Sequence, residues 1–290
     1  MKRVAVSVLI VLAMFGCRKP APAPTDDGRG YLAHPLLWKI EKDGTTTYAF
    51  GTIHTGVDAE QRLPPAVWAT IDAAPAFAME TDLSDPAIAA MLQCVQCSLH
   101  RDLGDADYAK LEQLLGKPIV NRLDGMKPLV AATMLAMRGL PSTPQMDTAL
   151  LAHARAHDAR IVYLEPAADQ AAMLERQMNL KALHMMIDDP EGTLDSTEKL
   201  LAAYVAGDAA AMLAINDEGK RQALAHGYTA AEYDAAQEDM VYRRNAAWIA
   251  PIEQLHAQGG GFLAVGALHL IGPRSVLDLL SRRGYKITRM

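Results

Sequence analysis

Two histidines near opposite ends of this 290-residue chain follow the same local pattern. Thr47-Tyr48-Ala49-Phe50 runs into Gly51-Thr52-Ile53-His54, and Phe262-Leu263-Ala264-Val265 runs into Gly266-Ala267-Leu268-His269. Each apolar run reads as a strand. The glycine lets the backbone turn sharply or approach a neighbour where a Cβ would clash, and the histidine can then point back over the strand end. Pro64-Pro65 after the first turn and Pro273 after the second predict helices opened by proline. Two imidazoles delivered by equivalent strand-to-helix turns suggest one shared metal or acid–base site.

A neutral imidazole with a carboxylate is the ordinary ligand set for zinc, manganese, cobalt or iron. Ala76-Phe77-Ala78-Met79 ends in Glu80-Thr81-Asp82, and Arg160-Ile161-Val162-Tyr163-Leu164 ends in Glu165. Ligands of open α/β sheets bind beyond the carboxyl ends of the strands, so His54, Glu80, Glu165 and His269 are expected to converge there. Asp82 is a further nearby carboxylate. Arg244, on a helix shortly before the last Gly-x-x-His, is suited to orient a carboxylate or polarise a substrate carbonyl. Its neighbour Arg243 reads as solvent-facing. His153 and His157 stand four apart on a predicted helix. They lack the glutamate that follows the first histidine of the His-Glu-x-x-His hydrolases, and with Arg155 and Asp158 they read as a solvated face. His34, His100, His184, His226 and His256 have no supporting context. There is no serine nucleophile elbow, phosphate loop or dinucleotide fingerprint.

The elements that must position these groups are legible from periodicity. Leu36–Ile40 and Thr45–Phe50 flank a turn at Lys42-Asp43-Gly44 and read as a hairpin that delivers His54. A helix over 64–74 and a strand from Ala76 follow. From about 84 to 257 the chain is mostly helical and rich in Ala, Leu and Met, with helices at 86–94, 106–115, 128–138, 144–158, 168–186, 192–206, 208–217 and 229–257. The strand 160–164 interrupts them. The end repeats the opening: strand 262–265, Gly-x-x-His, helix 273–282 stopped by Gly284, and strand 285–288. The expected fold is α/β. A central mixed sheet forms from N- and C-terminal strand–Gly-x-x-His–helix–strand units, with a large helical insertion, in one domain over 34–290.

Ahead of this domain, Lys2 and Arg3 precede the apolar run Val4–Phe15, too short to span a bilayer, and Gly16-Cys17 resembles a bacterial lipobox. Residues 1–16 read as a signal peptide and Cys17 as a lipidated residue, an ordinary cleaved signal peptide being the alternative. Residues 17–33, rich in Pro, Ala and Gly, read as a tether. The expected location is the cell envelope: an exported lipoprotein facing the periplasm, on the outer membrane, attached through its lipid. Cys94-Val95-Gln96-Cys97 in an exported protein reads as a local disulfide. A redox dithiol lacks a thioredoxin-like context, and half a zinc site lacks its second pair. The formal net charge is −6, and no Lys/Arg cluster accompanies aromatic residues, which argues against a nucleic-acid partner.

At these residues the chain resembles the TraB/PrgY/GumN family, which is similar to the Tiki membrane-associated metalloproteases. The resemblance runs from about Pro35 to Met290. It rests on Leu37-Trp38-Lys39-Ile40, the first Gly-x-x-His, Pro65-Ala66-Val67, Met79-Glu80-Thr81-Asp82, Lys127-Pro128, Met146-Asp147, Leu164-Glu165, Arg244-Asn245, the stretch Ala264–Pro273 and Arg283-Gly284-Tyr285, in that order. The resemblance implies an α/β core of the kind seen in Tiki, erythromycin-esterase-like and ChaN-like proteins. It also implies a divalent-metal peptidase site, with manganese, cobalt or zinc held by His54, His269 and Glu80. Glu80 or Glu165 would serve as general base and Arg244 as a supporting catalytic group, acting on a peptide or protein. The Cys94/Cys97 insertion departs from the family pattern. The alternative is a lipoprotein that captures haem, a metal or a peptide without catalysis.

Overall fold

The computed structural model describes residues 30–82 and 84–290. The expected signal peptide, Cys17 and most of the tether lie outside the described residues.

Six strands form one mixed sheet: β1 (Leu37–Lys42), β2 (Thr45–Thr52), β3 (Ala76–Met79), β4 (Arg160–Tyr163), β5 (Gly261–Gly266) and β6 (Lys286–Arg289). Their order is β4-β3-β5-β2-β1-β6. The inner run β4-β3-β5-β2 is parallel, while β1 is antiparallel to both β2 and β6. Strands β3 and β5 are buried along their whole length, as parallel strands covered on both faces must be. Their continuous apolar runs supply that burial. Phe77 and Phe262, direct partners in the register, stack with ring centroids 5.8 Å apart.

The first and last parts of the chain meet at the centre of the sheet. β2 and β5 are parallel neighbours in a register that pairs Thr52 with Gly266. The two Gly-x-x-His turns therefore leave the sheet side by side at the same edge. Gly51 shows why this position excludes a side chain: an added Cβ would sit 3.0 Å from Ala267 Cα and 3.2 Å from Leu36 Cβ. The glycine of the first motif is thus packed against the second motif. What it provides is close approach, with no positive φ involved.

The two proline expectations resolve differently. Pro65 opens the helix Pro65–Asp72, with Pro64 as its N-cap residue. At the other end the helix begins later, at Val276, because the Ser275 hydroxyl accepts the Asp278 N–H and fixes the cap there. Gly272 and Arg274 take positive φ on the way, so Pro273 lies in a turn before the helix.

The helical part has a hydrophobic centre of its own. Leu99, Leu111, Val120, Val130, Leu183 and Met186 belong to a second buried cluster whose members run from Leu92 to Ile187. Helices further along, Pro190–Ala206 and Arg243–Ala257, return to the sheet core through Tyr204, Trp248, Ile252 and Leu255. The expected single helix 168–186 is two, Ala167–Gln177 and Leu180–Asp188, because Asn179 caps the second with its side chain. The long helix 229–257 contains a five-residue π segment, Glu238–Tyr242, immediately before Arg243. Cys94 and Cys97 form a disulfide.

Candidate functional site

Four strand ends converge on one buried polar cluster. His54 follows β2, Glu80 follows β3, Glu165 follows β4 and His269 lies in a 3-10 turn, Ala267–His269, directly after β5. This is the edge at which an open α/β sheet accommodates ligands. Arg244 reaches into the same cluster from the first turn of the helix Arg243–Ala257. Asp82, also considered from sequence, stays outside: it accepts the Ser84 N–H and hydroxyl and shapes the turn after β3.

Arg244 is the hub. Its Nη2 donates to Glu80 Oε2 (2.6 Å) and to Glu165 Oε1 (2.6 Å), and its Nε donates to Glu165 as well. Its Nη1 donates to the Met240 carbonyl and to His269 Nε2, both at 3.0 Å. A guanidinium has five N–H bonds, and the protein takes all of them. The π segment aids this, since it ends one residue before Arg243 and carries the Met240 carbonyl. Polarising a substrate carbonyl, as expected from sequence, would require Arg244 to give up one of these bonds.

Both imidazoles are held from behind. His54 Nδ1 donates to Asp147 Oδ2 at 2.7 Å, and Asp147 Oδ1 accepts the Thr52 hydroxyl at 2.8 Å. His269 Nδ1 donates to Asn245 Oδ1 at 2.6 Å, while the Asn245 amide donates to the Arg274 carbonyl. In each ring the outer partner fixes the Nδ1–H, so Nε2 is the atom presented to the centre. Glu80 is fixed in the same way, accepting the Gly266 N–H at Oε1 (2.8 Å) and the Gln170 amide at Oε2 (2.9 Å).

Gly266 marks the middle. A Cβ built there would lie 3.3 Å from Glu80 Oε1, 3.5 Å from His269 Cδ2 and 4.0 Å from His54 Nε2. The three groups expected to hold a metal thus surround the space that the absent side chain leaves open. They are spread more widely than a coordination shell. Among the described residues, the group of three whose ligand atoms all lie within 4.8 Å of one another is Asp72, His153 and His157.

The charges follow from burial and neighbours. Burial works against the His54 imidazolium, but Asp147, by charge and hydrogen bond, and Glu80 outweigh it and raise the pKa to about 9. Burial and the Arg244 charge together lower His269 to about 3, so that ring is neutral at pH 7. Burial would raise Glu80, yet Arg244 and the two histidines bring it down to about 2. Glu165 is raised, burial outweighing the bonds from Arg244. Side-chain exposure is 24% for His54 and 12% for Glu165, against 8% for Glu80, 7% for Arg244 and 4% for His269. Solvent therefore reaches the cluster from the side of His54 and Glu165.

Four participants were not assigned roles from sequence: Asp147, Asn245, Gln170 and Trp248, whose indole donates to Glu165 at 3.3 Å. Met146-Asp147 and Arg244-Asn245 were visible as landmarks. Their roles were hidden because each partner comes from a different helix. Of the remaining histidines, His256 is a buried structural group bonded to the Thr47 hydroxyl and the Lys42 carbonyl.

Neither a curated protein nor a solved structure matches this chain. The model of the TraB/PrgY/gumN family matches residues 36–289, nearly its whole length, and the chain belongs to that family.

Proposed function

We propose that this protein is a metal-dependent hydrolase of the cell envelope, acting on peptides, with its centre over Gly266. The observation that carries the reading is the pairing of His54 with Asp147 and of His269 with Asn245, which leaves both Nε2 atoms on the inner side of the cluster, His269 Nε2 3.9 Å from Glu80 Oε1 and His54 Nε2 close to Gly266. Carboxylate or amide support behind each imidazole is the arrangement expected of metal-binding histidines. The donor types suit manganese, cobalt or zinc. His54, His269 and Glu80 would hold the ion, with His54 releasing the second proton that its raised pKa retains and His269 yielding the lone pair it now shares with Arg244.

When bound, such an ion supplies Lewis acidity toward a carbonyl and a lowered pKa for water. Glu165 is the group suited to move a proton, being raised by burial and, at 12% side-chain exposure, less enclosed than Glu80. Arg244 is a positioning residue that keeps Glu80 and Glu165 apart in charge and fixed in place. A cavity of about 510 Å³ on the helical side, lined by Met178, Met185 and Tyr233 together with the charged Arg176, Lys181 and Asp239, offers room for a peptide of mixed polarity and includes none of the strand-end residues.

The test is elemental analysis and peptide hydrolysis with untagged protein. Wild type should carry one divalent ion at this centre and lose hydrolysis on chelation. His54→Ala and His269→Ala should each lose hydrolysis and one equivalent of metal relative to wild type, and unchanged hydrolysis in the double variant would overturn the proposal. A second reading, capture of a metal, haem or peptide without hydrolysis, is favoured by the complete engagement of Arg244. Ligand binding that depends on the same histidines, with no turnover of any peptide, would select it.

A further inference from the structure

At the other end of the helix that carries Asp147, two histidines and an aspartate come together outside the strand-end cluster. His153 lies in the last turn of the helix Met146–Ala156 and His157 is its C-cap residue. Asp72 ends the neighbouring helix Pro65–Asp72. His153 Nε2 is 2.6 Å from Asp72 Oδ1, and His157 Nε2 is 3.5 Å from the same oxygen. All three ligand atoms fall within 4.8 Å of one another.

We propose that Asp72, His153 and His157 form a surface site for a divalent cation of the imidazole-binding class, with zinc as its representative. The spacing is close to what such an ion needs. Neighbouring ligand atoms of a tetrahedral zinc are separated by about 3.3 Å, so His157 and Asp72 already stand close to that distance, while His153 must open by less than an ångström and give up the Nε2 proton it donates to Asp72, released to solvent or moved to Nδ1. The tautomer is set as well. His157 Nδ1 donates to the His153 carbonyl at 2.9 Å, which leaves Nε2 as its ligand atom. The His153 ring is steadied between Trp68, 4.7 Å away, and His157, 4.3 Å away.

The electrostatics agree. A helix C-terminus favours a cation. Arg155, the adjacent positive charge, is turned to the Tyr163 hydroxyl at 3.2 Å. Asp72 and His157 are exposed, so the ion has an open path and water completes its coordination. The His-x-x-x-His spacing read from sequence lacked a third ligand, and the fold supplies it from a helix more than eighty residues upstream. Such an ion would cross-link the two helices.

The experiment uses the untagged full chain in a His54→Ala/His269→Ala background, which removes the strand-end histidines from the measurement. Zinc binding is read by competition with a chromophoric chelator, and cobalt by its visible absorption. One zinc should bind per chain. Adding His157→Ala, an exposed position whose fold is checked by circular dichroism, should weaken it more than about tenfold, and Asp72→Asn should act in the same direction. The cobalt spectrum should vanish with His157→Ala. Zinc affinity unchanged by His157→Ala and by His153→Ala, or no zinc bound in the background protein, would overturn the site.

Discussion

Asp147 Oδ2 sits 2.7 Å from Nδ1 of His54 across 93 residues of chain, and this one bond sets both the orientation and the charge of that ring. In Asp147→Asn, burial acts on the imidazole without its main opponent. The His54 midpoint in metal-free protein should fall from about 9 to or below the ordinary 6.5. Histidine-resolved NMR titration measures this directly. Metal affinity or activity should drop about 10- to 100-fold, as for loss of an outer hydrogen-bond partner.

Arg244 neutralises two buried carboxylates at once. Arg244→Met leaves Glu80 and Glu165 without their cation and should destabilise the fold by about 3–5 kcal/mol. Arg244→Lys should recover only part of this, because an ammonium lacks the planar fork that spans both glutamates. Urea unfolding of the two variants, side by side, checks the ranking.

Filling the space over Gly266 should separate function from stability. In Gly266→Ala the new methyl meets Glu80 Oε1 at 3.3 Å, a contact relieved by a shift of a few tenths of an ångström. Stability should fall by no more than about 1 kcal/mol, near the low end for added core volume, while metal binding and hydrolysis fall sharply. Gly51→Ala should do the reverse in degree, costing about 1–3 kcal/mol against the rigid backbone of Ala267. Thermal unfolding and metal titration of both variants make the comparison.

The pH dependence of stability has a worked sign on each side. His54 is raised from 6.5 to about 9 in the folded protein, so its contribution is whole below pH 6.5 and is lost as pH rises through 9. His269 is lowered from 6.5 to about 3, so its contribution is whole above 6.5 and is lost as pH falls toward 3. Glu80, lowered from 4.5 to about 2, adds a further loss below 4.5. Metal-free protein should therefore be most stable near pH 6.5, and His54→Gln should flatten the alkaline limb. Denaturant unfolding across pH 3–10 reads both limbs.

The disulfide closes only a short turn, between residues three apart. Replacing both cysteines by serine should cost about 2 kcal/mol on loop entropy alone. The loss should fall on the helical cluster around Leu92 and Leu99 and leave the strand-end site intact. Hydrogen exchange localises it.

Much of this arrangement is legible in the amino-acid sequence. The strand runs before Gly51 and Gly266 are continuous and apolar, which is what buried parallel strands require, and they fixed where His54 and His269 emerge. Glu80 and Glu165 were legible because a carboxylate ending an apolar run has few places to go. Asp147 and Asn245 were not, since the bond each makes depends on how a helix docks on the sheet. Periodicity within the helix cannot report that. The second helical core was equally hidden: apolar spacing tells that Leu111 or Leu183 is inside, but not inside which cluster.

The β2–β5 register has a consequence for assembly in time. The central parallel pair joins residues 47–52 to residues 261–266, so the strand-end cluster closes a loop that contains the whole helical part. Such pairing is slow, because loop entropy must be overcome before the contacts repay it. A chain emerging from a ribosome can collapse its helical cluster early, yet it has no complete strand-end cluster until β5 arrives. Completion of the cluster thus waits on β5 and the turn that carries His269, near the end of the chain.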